Sequence, residues 1–403
     1  MVRKLSQGSV ICDSEIYNFD YLNRKHHLDA SNDSELFSKL ISLKGAKALD
    51  EVDGVYSLAY FGGGFVLLAR DILGLKPIFY SWDKGFAFSF IRNDLKRLGH
   101  KDVQELDPAK ILRYNQDKCK FFFMNRSFFS LRPETRDPED VVVKNLSGLF
   151  TEAVKKRVKK KKFGVLFSGG VDSTLIALVC KKLGCNFTCY TSYFSYPGIQ
   201  ESEDLVWAKR VAKSLNFRLK AVKVDLRKTE LIIKKLVPFL GADAVKIGVA
   251  LPEFAACEAA KKDGCDFVFS GLGSEELYAG YQRHRLSSDV NKECLAGLRM
   301  MYERDTYRDC IVADQNHVKF ETPFLDNNLV AYSLRIPSKF KLKGGVEKFI
   351  MRQAAMKLGV PKGFALRKKR AAQYGSNSDK ALSKLARLNG FKYKKDYLSS
   401  LLS

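Results

Sequence analysis

Hydrophobic and polar residues alternate along the first part of the chain with the period of two expected of half-buried strands. Apolar β-formers at 54–61 and 65–70 flank three glycines, and the runs at 77–82 and 86–90 flank Asp-Lys-Gly. A Gly-rich break between two such runs is typical of a hairpin. The pattern therefore predicts a strand-rich, meandering sheet with few helices up to about residue 128.

The period changes beyond residue 140. Apolar residues at helical spacing predict an amphipathic helix at 141–158. Apolar strands then alternate with helices, in the order strand 163–167, helix 172–183, strand 186–193, helix 203–215 and strand 219–224. Strands that alternate with helices predict a parallel α/β sheet, and the pattern from about 290 onward is mainly helical.

Chain length and the texture of the sequence favour two domains. The 403 residues exceed one ordinary domain, and residues 129–139 carry two prolines and several charges, as a linker does. We expect domains at 1–128 and 140–403. No apolar run follows the basic residues at the amino terminus, and none is long enough to cross a bilayer. These features predict a soluble, cytoplasmic protein without a membrane partner.

The formal net charge of +24 leaves several partners open. It fits a nucleic acid, an anionic substrate such as ATP, or a proteome that is basic throughout. The densest basic run, 155–162, ends the predicted helix, where cations complement the helix dipole. Nine cysteines include no Cys-x-x-Cys pair, so Cys185 and Cys189 are interpreted as small buried hydrophobes rather than a zinc site.

The strand at 163–167 runs into Ser168-Gly169-Gly170-Val171-Asp172-Ser173. Such a turn presents backbone N–H groups to an anion, and the start of the following helix adds its positive dipole end. The hydroxyls of Ser168 and Ser173 can donate, while Asp172 can hold Mg²⁺ or cap the helix. An ordinary βα turn with a serine cap is the alternative.

This string resembles the pyrophosphate loop of the N-type ATP pyrophosphatases, and later motifs resemble the asparagine synthetase family in particular. Residues 268–281 look like its second signature, in which Ser270 and Gly271 would lie near the adenylate and Glu275 would help bind magnesium pyrophosphate. Acidic residues favoured by the dipole of a first helical turn are the alternative. The resemblance implies ATP and Mg²⁺ as cofactors.

Two further blocks extend the resemblance to residue 376. Residues 321–326 resemble the family's Pro-Phe-Leu-Asp block, with Thr322 at the arginine position, and make Glu321 and Asp326 candidate substrate residues. Lys348 stands in the equivalent of a Lys-Tyr-Ile-Leu-Arg block, whose lysine neutralises the reacting phosphates. Without these neighbours Lys348 would be interpreted as a surface residue. Residues 367–376 resemble the terminal Arg-Lys-x-x-x-Gln-x-Gly segment and look like the asparagine-synthetase-domain-containing proteins.

The first part resembles the glutaminase domain of the same family in the segments 15–18, 32–35, 53–57 and 69–77. Family members begin with a cysteine nucleophile, whereas this sequence begins Met1-Val2-Arg3 and its nearest cysteine is Cys12. Asp13 and Ser14 stand where Asn-Gly is expected. We therefore expect a truncated glutaminase-like domain without glutaminase activity, which a separate chain docked at the sheet edge, or a homodimer, could complete.

The expected fold class is α/β. It combines a truncated Ntn-type glutaminase-like β-rich domain with an adenine-nucleotide alpha-hydrolase-like parallel sheet that ends in a helical part. The expected reaction adenylates an aspartate-like carboxylate and transfers it to ammonia or another amine. Leu272, where the family has a carboxylate close to ammonia attack, puts the second step in question. A tRNA-modifying ATP pyrophosphatase and a non-catalytic nucleotide- or partner-binding module are the alternatives.

Overall fold

The computed structural model of this chain describes residues 8–159 and 161–402. The first residues, Met1–Arg3, and Lys160 of the basic run lie outside the described residues. The chain forms two compact units, of which the first extends to Phe129 and also includes residues 299–310. The second comprises residues 130–298 and those from 311 onward. Among the described helices, none has the length and apolarity that crossing a membrane requires.

Unit 1 is built on antiparallel strands. A five-stranded sheet has the order β1-β2-β3-β7-β8, and a three-stranded sheet has the order β5-β4-β6. The strands are Ser9–Ile16 (β1), Gly54–Gly62 (β2), Phe65–Arg70 (β3), Phe79–Ser81 (β4), Ala87–Ser89 (β5), Val103–Glu105 (β6), Lys110–Asn115 (β7) and Lys120–Asn125 (β8). The pairs β2–β3 and β4–β5 are antiparallel, which confirms both predicted hairpins.

The alternation along β2 and β3 sorts side chains onto two cores. Leu58 and Leu67 belong to a cluster that includes the helical residues Leu36 and Phe37. The adjacent residues of each strand, Ala59 and Leu68 among them, belong to a second cluster with Ile78, Leu106 and Leu112. Because successive side chains of a strand point to opposite faces, the central strands β2 and β3 are buried on both sides of the sheet.

Unit 1 contains more helix than the sequence pattern predicted. Its elements are Phe19–Lys25 (α1), Asp33–Lys44 (α2), the 3₁₀ helix Gly45–Glu51, Arg92–Arg97 (α3) and the π-helical turn Tyr302–Thr306. Helix α2 begins after Asn32, whose side chain accepts a hydrogen bond from the Glu35 N–H. Its buried residues, Leu36, Phe37, Leu40 and Ile41, recur with the helical period. The capping residue and this stripe were both present in the sequence.

Unit 2 contains the parallel sheet predicted from the alternation. Its strands are Phe163–Leu166 (β9), Phe187–Phe194 (β10), Leu219–Val224 (β11), Phe267–Phe269 (β12) and Lys319–Glu321 (β13). They lie in the order β11-β10-β9-β12-β13, and each neighbouring pair is parallel. Aromatic residues of the central strands stack on one another, with the rings of Phe163 and Phe267 5.0 Å apart. Strands β9 and β10 are largely buried, as parallel strands usually are, and the sequence predicted them together with the more exposed strand β11. Strand β13 was not predicted.

The remaining helices follow β8 in the chain. They are Glu139–Arg157 (α4), Val171–Lys182 (α5), Glu203–Leu215 (α6), Leu226–Leu240 (α7), Ala244–Lys262 (α8), Ser274–Tyr278 (α9), Gln282–Leu286 (α10), Val290–Met301 (α11), Tyr307–Asn316 (α12), the 3₁₀ helix Pro323–Leu325, Asn327–Ser333 (α13), Ser338–Lys341 (α14), Phe349–Lys357 (α15), Lys362–Ala365 (α16), Ala372–Gly375 (α17), Ser378–Leu388 (α18) and Lys394–Ser400 (α19). The mainly helical character beyond residue 290 is confirmed.

The basic run at the end of α4 is bound to carboxylates. Lys156 and Arg157 contact Asp326 at 2.5 and 3.1 Å, and Lys159 contacts Glu321 at 2.8 Å. Arg157 is 2% exposed, so its charge is buried within these ion pairs. The described part of the run therefore supports the local fold, in addition to complementing the helix dipole.

Candidate active site at the carboxyl edge of the parallel sheet

The strand order of unit 2 defines where a ligand binds. In chain order the strands lie 3-2-1-4-5, so the direction of winding reverses between β9 and β12. Ligands of open α/β sheets bind at such a reversal, outside the carboxyl ends of the strands. The loop after β9 begins at Phe167, and the loop after β12 begins at Ser270. Both motifs singled out in the sequence thus leave the sheet at this point.

The first loop is held open by weak internal hydrogen bonds. Gly170 N donates to Ser168 Oγ at 3.2 Å, and Ser168 N donates to Ser173 Oγ at 3.4 Å. These distances are at or beyond the long end for N–H···O bonds, so an anionic oxygen can replace the hydroxyls. Helix α5 starts at Val171, which adds its positive dipole end to the loop. The geometry suits a phosphate group.

The second loop depends on two glycines. Gly273 has a φ of 94°, in the left-handed region that favours glycine. At Gly280 a Cβ would overlap Glu275 Oε2 and stand 2.5 Å from Lys348 Cε. Ala279, between helix α9 and Gly280, has a φ of 60°, an uncommon conformation for a residue with a Cβ. Alanine therefore carries some backbone strain at this position.

Lys348 brings the two loops together. Its Nζ lies 2.8 Å from Asp172 Oδ2 and 2.6 Å from Glu275 Oε1, and it donates to Ser274 Oγ at 2.9 Å. The Lys348 side chain is 2% exposed. The backbone φ of Lys348 is 55°, which is strained for a residue other than glycine. Burial lowers the pKa of Lys348, but the charges and hydrogen bonds of the two carboxylates outweigh it and raise the pKa above its ordinary value. Lys348 is therefore a fixed, buried cation.

Two carboxylate oxygens in this group have no hydrogen-bond partner. Asp172 Oδ1 and Glu275 Oε2 are buried and unpaired, while the other oxygen of each carboxylate, Oδ2 and Oε1, contacts Lys348 Nζ. Within residues 8–159 and 161–402 there is no set of three or more His, Cys, Asp or Glu side chains arranged to hold a metal. Mg²⁺ needs no such set, because it is usually bound by one or two carboxylates together with substrate phosphates and water. Asp172 and Glu275 fit that requirement.

The structure adds a second lysine to the site. Lys369 Nζ lies 2.5 Å from Glu275 Oε1 and 4.7 Å from the centre of the Tyr281 ring. Glu275 therefore has lysines on two sides. Lys369 lies in the segment 367–376 among three other basic residues, and sequence spacing alone does not distinguish it from them.

Other candidate residues have different surroundings. Ser270 N donates to the backbone carbonyl of Glu321, so Ser270 is held by strand β13. The Glu321 and Asp326 carboxylates contact the basic residues at the end of α4, and Asp326 also caps helix α13 through the Asn328 and Leu329 N–H groups. These contacts account for both carboxylates structurally. Their proposed role in substrate binding stays a prediction.

Leu272 lies in the second loop between Gly271 and Gly273. Its N–H donates to Ser270 Oγ at 3.3 Å, and the side chain is partly exposed. Gly271 is packed close to the loop after β9, since a Cβ there would stand 3.1 Å from Asp172 Cβ. Position 272 therefore sits near the phosphate loop but offers neither a proton acceptor nor a charge.

In unit 1 the segments that resemble a glutamine-binding block form their own contacts. Asp13 pairs with Lys76 at 2.7 Å, and Ser14 Oγ donates to Asp33 Oδ2 at 2.9 Å. Cys12 Sγ lies 3.2 Å from Ser34 Oγ. A carboxylate at position 13 is acceptor-only, so it cannot supply the N–H donors of an asparagine.

Two family models and several known proteins match this sequence. The asparagine synthase family model matches residues 145–308 and 285–391, and a glutamine amidotransferase domain model matches residues 1–97. A relative from Methanocaldococcus jannaschii, named for glutamine-hydrolysing asparagine synthetase, is 31% identical over 96% of this chain and 81% of its own length.

More distant relatives carry the same name. Asparagine synthetase 3 of Arabidopsis thaliana is 26% identical over 86% of this chain and 63% of its own length. The Gallus gallus enzyme is also 26% identical, over 88% of this chain and 69% of its own length. Among solved structures, an NMN synthetase from Francisella tularensis aligns with 66% of this chain at 13% identity and a TM-score of 0.33, a likeness too weak to support an argument.

The parallel sheet, the loop at its switch point and the lysine–carboxylate group define an open α/β unit with a candidate site at the carboxyl edge of the sheet. The family models and the relatives identify the family of this unit. The chain belongs to the asparagine synthetase family.

Proposed function

We propose that this protein is an AMP-forming carbon–nitrogen ligase that activates an aspartate-like carboxylate with ATP and passes it to ammonia or another amine. The observation that carries the proposal is the contact of Lys348 with both Asp172 and Glu275. These residues come from three separate motifs, and Lys348 and Asp172 are 176 residues apart in sequence. Nothing in ordinary packing requires a buried lysine between two carboxylates with unpaired oxygens.

The chain's own residues have distinct proposed roles. The loop Ser168–Ser173 would hold phosphate oxygens through backbone N–H groups and hydroxyls. Lys348 would stabilise the negative charge that develops as pyrophosphate leaves the α-phosphorus, since a preorganised buried cation acts strongly where water is excluded. Asp172 and Glu275 would hold Mg²⁺, which supplies charge neutralisation to the phosphates when bound. Ser270 and Gly271 would lie beside the adenosine part of the substrate.

The amine is proposed to come from solution or from another protein. The carboxylate of Asp13 and its pairing with Lys76 support a lack of glutaminase activity in this polypeptide. Leu272 supports an amine other than free ammonia, or slow amide formation, because no carboxylate at that position can accept the amine proton. We also propose the domain boundaries given above, with 1–128 as the glutaminase-like part and 140–403 as the synthetase part.

The test is pyrophosphate release from Mg²⁺–ATP, measured with and without L-aspartate and with ammonium or glutamine added separately. We expect release that depends on aspartate, and no stimulation by glutamine beyond that of contaminating ammonia. Lys348→Met should lower the release by at least about 100-fold, whereas Lys209→Met, at an exposed ion pair with Glu201, should not change it. If no AMP formed with any carboxylate tested, the proposal would be wrong.

A further inference from the structure

A buried arginine connects the phosphate loop to helix α6. Arg367 Nη1 donates to the Ser168 carbonyl oxygen at 2.8 Å, and Nη2 donates to Asp204 Oδ1 at 2.8 Å. The arginine side chain is 5% exposed and the aspartate 8%. A guanidinium is planar and always charged, so it binds two acceptors in a fixed relative geometry. One side chain thereby fixes the first peptide of the loop relative to the start of α6.

Helix α6 also touches the loop directly. Gly169 has a φ of 68°, and a Cβ there would stand 2.7 Å from both the Ala208 nitrogen and the Trp207 carbonyl carbon. The Arg367 guanidinium carbon lies 5.1 Å from the centre of the Trp207 ring. The loop is therefore held by the backbone of α6 at Gly169 and by Arg367 at Ser168. These contacts leave the Ser168 carbonyl pointing at a cation.

The segment that carries Arg367 is itself fixed. Arg352 donates to the carbonyl oxygens of Ala365 and Arg367, and its Nε donates to the Glu347 carbonyl beside Lys348. On the other side, a Cβ at Gly375 would overlap the Asp204 carboxylate, so only glycine leaves room for that side chain. Asp204 and Arg367 are thus held in place from both ends.

We propose that Asp204 and Arg367 are positioning residues, whose ion pair holds the Ser168 carbonyl so that the loop N–H groups stay aimed at a nucleotide phosphate. Neither residue touches the reacting atoms in this scheme. The inference rests on the proposed function, because it assumes that the loop binds a nucleoside triphosphate. It goes beyond it in assigning an active-site role to helix α6.

The pair predicts a pH dependence. Burial raises the pKa of Asp204 to about 6, against the opposing hydrogen bond and charge of Arg367. The other charged groups that act on it are Glu203 on α6, which raises the pKa, and Arg370, which lowers it. As pH falls through 6, Asp204 takes a proton and Arg367 loses its nearer, buried counter-charge, while Glu203 stays at 3.6 Å from Nη2. Because the ion pair that holds the Ser168 carbonyl is then weakened, the affinity for the nucleotide should fall as the pH falls.

The raised pKa of Asp204 also distinguishes a role in positioning the loop from a role in stabilising the fold. The folded-state pKa is above the unfolded value, so ionisation of Asp204 destabilises the fold as pH rises from about 4 to about 6. A neutral replacement of the same shape therefore should not lower thermal stability at pH 7.5. A residue that merely supported the fold would give the opposite result, with stability and affinity lost together.

The experiment measures the affinity for Mg²⁺ with a non-cleavable ATP analogue by calorimetry between pH 5 and 8, on wild type, Asp204→Asn and Arg367→Lys. We expect Asp204→Asn to weaken binding about tenfold at pH 7.5, with a thermal midpoint equal to or higher than that of wild type. Its affinity should converge with that of wild type at pH 5. The nucleotide's own titration cancels in this comparison. Arg367→Lys should also weaken binding, because an ammonium group cannot donate to the Ser168 carbonyl and to Asp204 in the geometry of the guanidinium. Glu201→Gln is the control, for which we expect unchanged binding.

Equal affinities of wild type and Asp204→Asn at pH 7.5 would overturn the inference, as would a thermal midpoint that falls together with the affinity. These results leave the proposed function intact, because wild type still binds the nucleotide. Failure of wild type to bind it at any pH would overturn the proposed function and this inference with it.

Discussion

Replacement of Gly280 by alanine tests the geometry of the Lys348 group with a single methyl. The backbone at Gly280 lies outside the left-handed region, so alanine causes no torsional strain there. Only space is changed. The new Cβ would overlap Glu275 Oε2 and stand 2.5 Å from Lys348 Cε. Both neighbours are side-chain atoms, so we expect the protein to fold and the two side chains to move.

The size of the movement follows from the contact distances. Cβ contacts below 3.0 Å are essentially never seen, so Lys348 Cε must withdraw by at least 3.0 − 2.5 = 0.5 Å, and the Glu275 carboxylate by more. Misplacement of reacting groups by on the order of 1 Å costs roughly 100-fold in rate, or about 2.7 kcal/mol of activation free energy. We expect kcat/KM for carboxylate-dependent pyrophosphate release to fall by about that factor.

Gly148→Ala is the matched control. Gly148 lies inside helix α4, and a Cβ there has no heavy atom within 4 Å. Alanine at this position should leave the rate unchanged and raise the free energy of unfolding by about 0.5–1 kcal/mol, because glycine is the weaker helix former. Wild-type kcat/KM in a folded Gly280→Ala protein would refute the assignment of Lys348 and Glu275 to the reaction.

Three further predictions concern other residues of unit 2. Lys348→Met should lower pyrophosphate release by at least about 100-fold, because the buried cation is lost, and Lys348→Arg should not restore it in a site packed for an ammonium; wild-type release by the methionine variant would contradict this. Burial, followed by the charges of Arg283 and Lys341, lowers the pKa of His284 to about 4, so the contribution of His284 to the free energy of unfolding is fully present above pH 6.5 and is lost, by on the order of 3 kcal/mol at most, as pH drops toward 4; the difference between wild type and His284→Asn isolates this contribution from that of Asp204, which has the opposite sign. Denaturation of His284→Asn over this range should lack that loss, and a parallel loss in the variant would show that another group is responsible. Leu272→Glu should increase ammonium-dependent amide formation without changing pyrophosphate release in the absence of an amine, as measured by product analysis; no gain would indicate that free ammonia is not the amine.

The strand–loop–helix units of the second part could be predicted from sequence because each has a strong local signal. Helix α6 was predicted at 203–215, and the structure gives Glu203–Leu215. Its cap, Ser202, accepts a hydrogen bond from the Leu205 N–H, and its apolar stripe is clear. Strand β11 was likewise predicted at 219–224 and observed at Leu219–Val224. Local periodicity suffices where caps and burial agree.

Helix α2 shows where the prediction fell short. Residues 32–35 resemble a family motif and were interpreted only in that way, although Asn32 caps the helix. The first part was therefore expected to contain few helices. The inclusion of residues 299–310 in unit 1 had no sequence signal, because membership in a compact unit depends on tertiary contacts rather than on chain order.

The candidate site, too, could be predicted from the sequence only in part. Motif order allowed Asp172, Glu275 and Lys348 to be named, but their mutual distances depend on the sheet order and could not be obtained from spacing. The role of Arg367 depends on which of four neighbouring basic side chains turns toward Ser168, and that is decided by packing against Asp204 and Trp207. Long-range packing of this kind leaves no periodic trace in the sequence.

The central claim is that a substrate carboxylate attacks the α-phosphorus of ATP, and oxygen-18 transfer tests it most directly. The protein is incubated with Mg²⁺, ATP, ammonium and L-aspartate labelled with oxygen-18 in its side-chain carboxylate, and the products are analysed by mass spectrometry. We expect one labelled oxygen in AMP, formed in amounts equal to the amide and the pyrophosphate. Label in inorganic phosphate with release of ADP, or AMP without label, would contradict it.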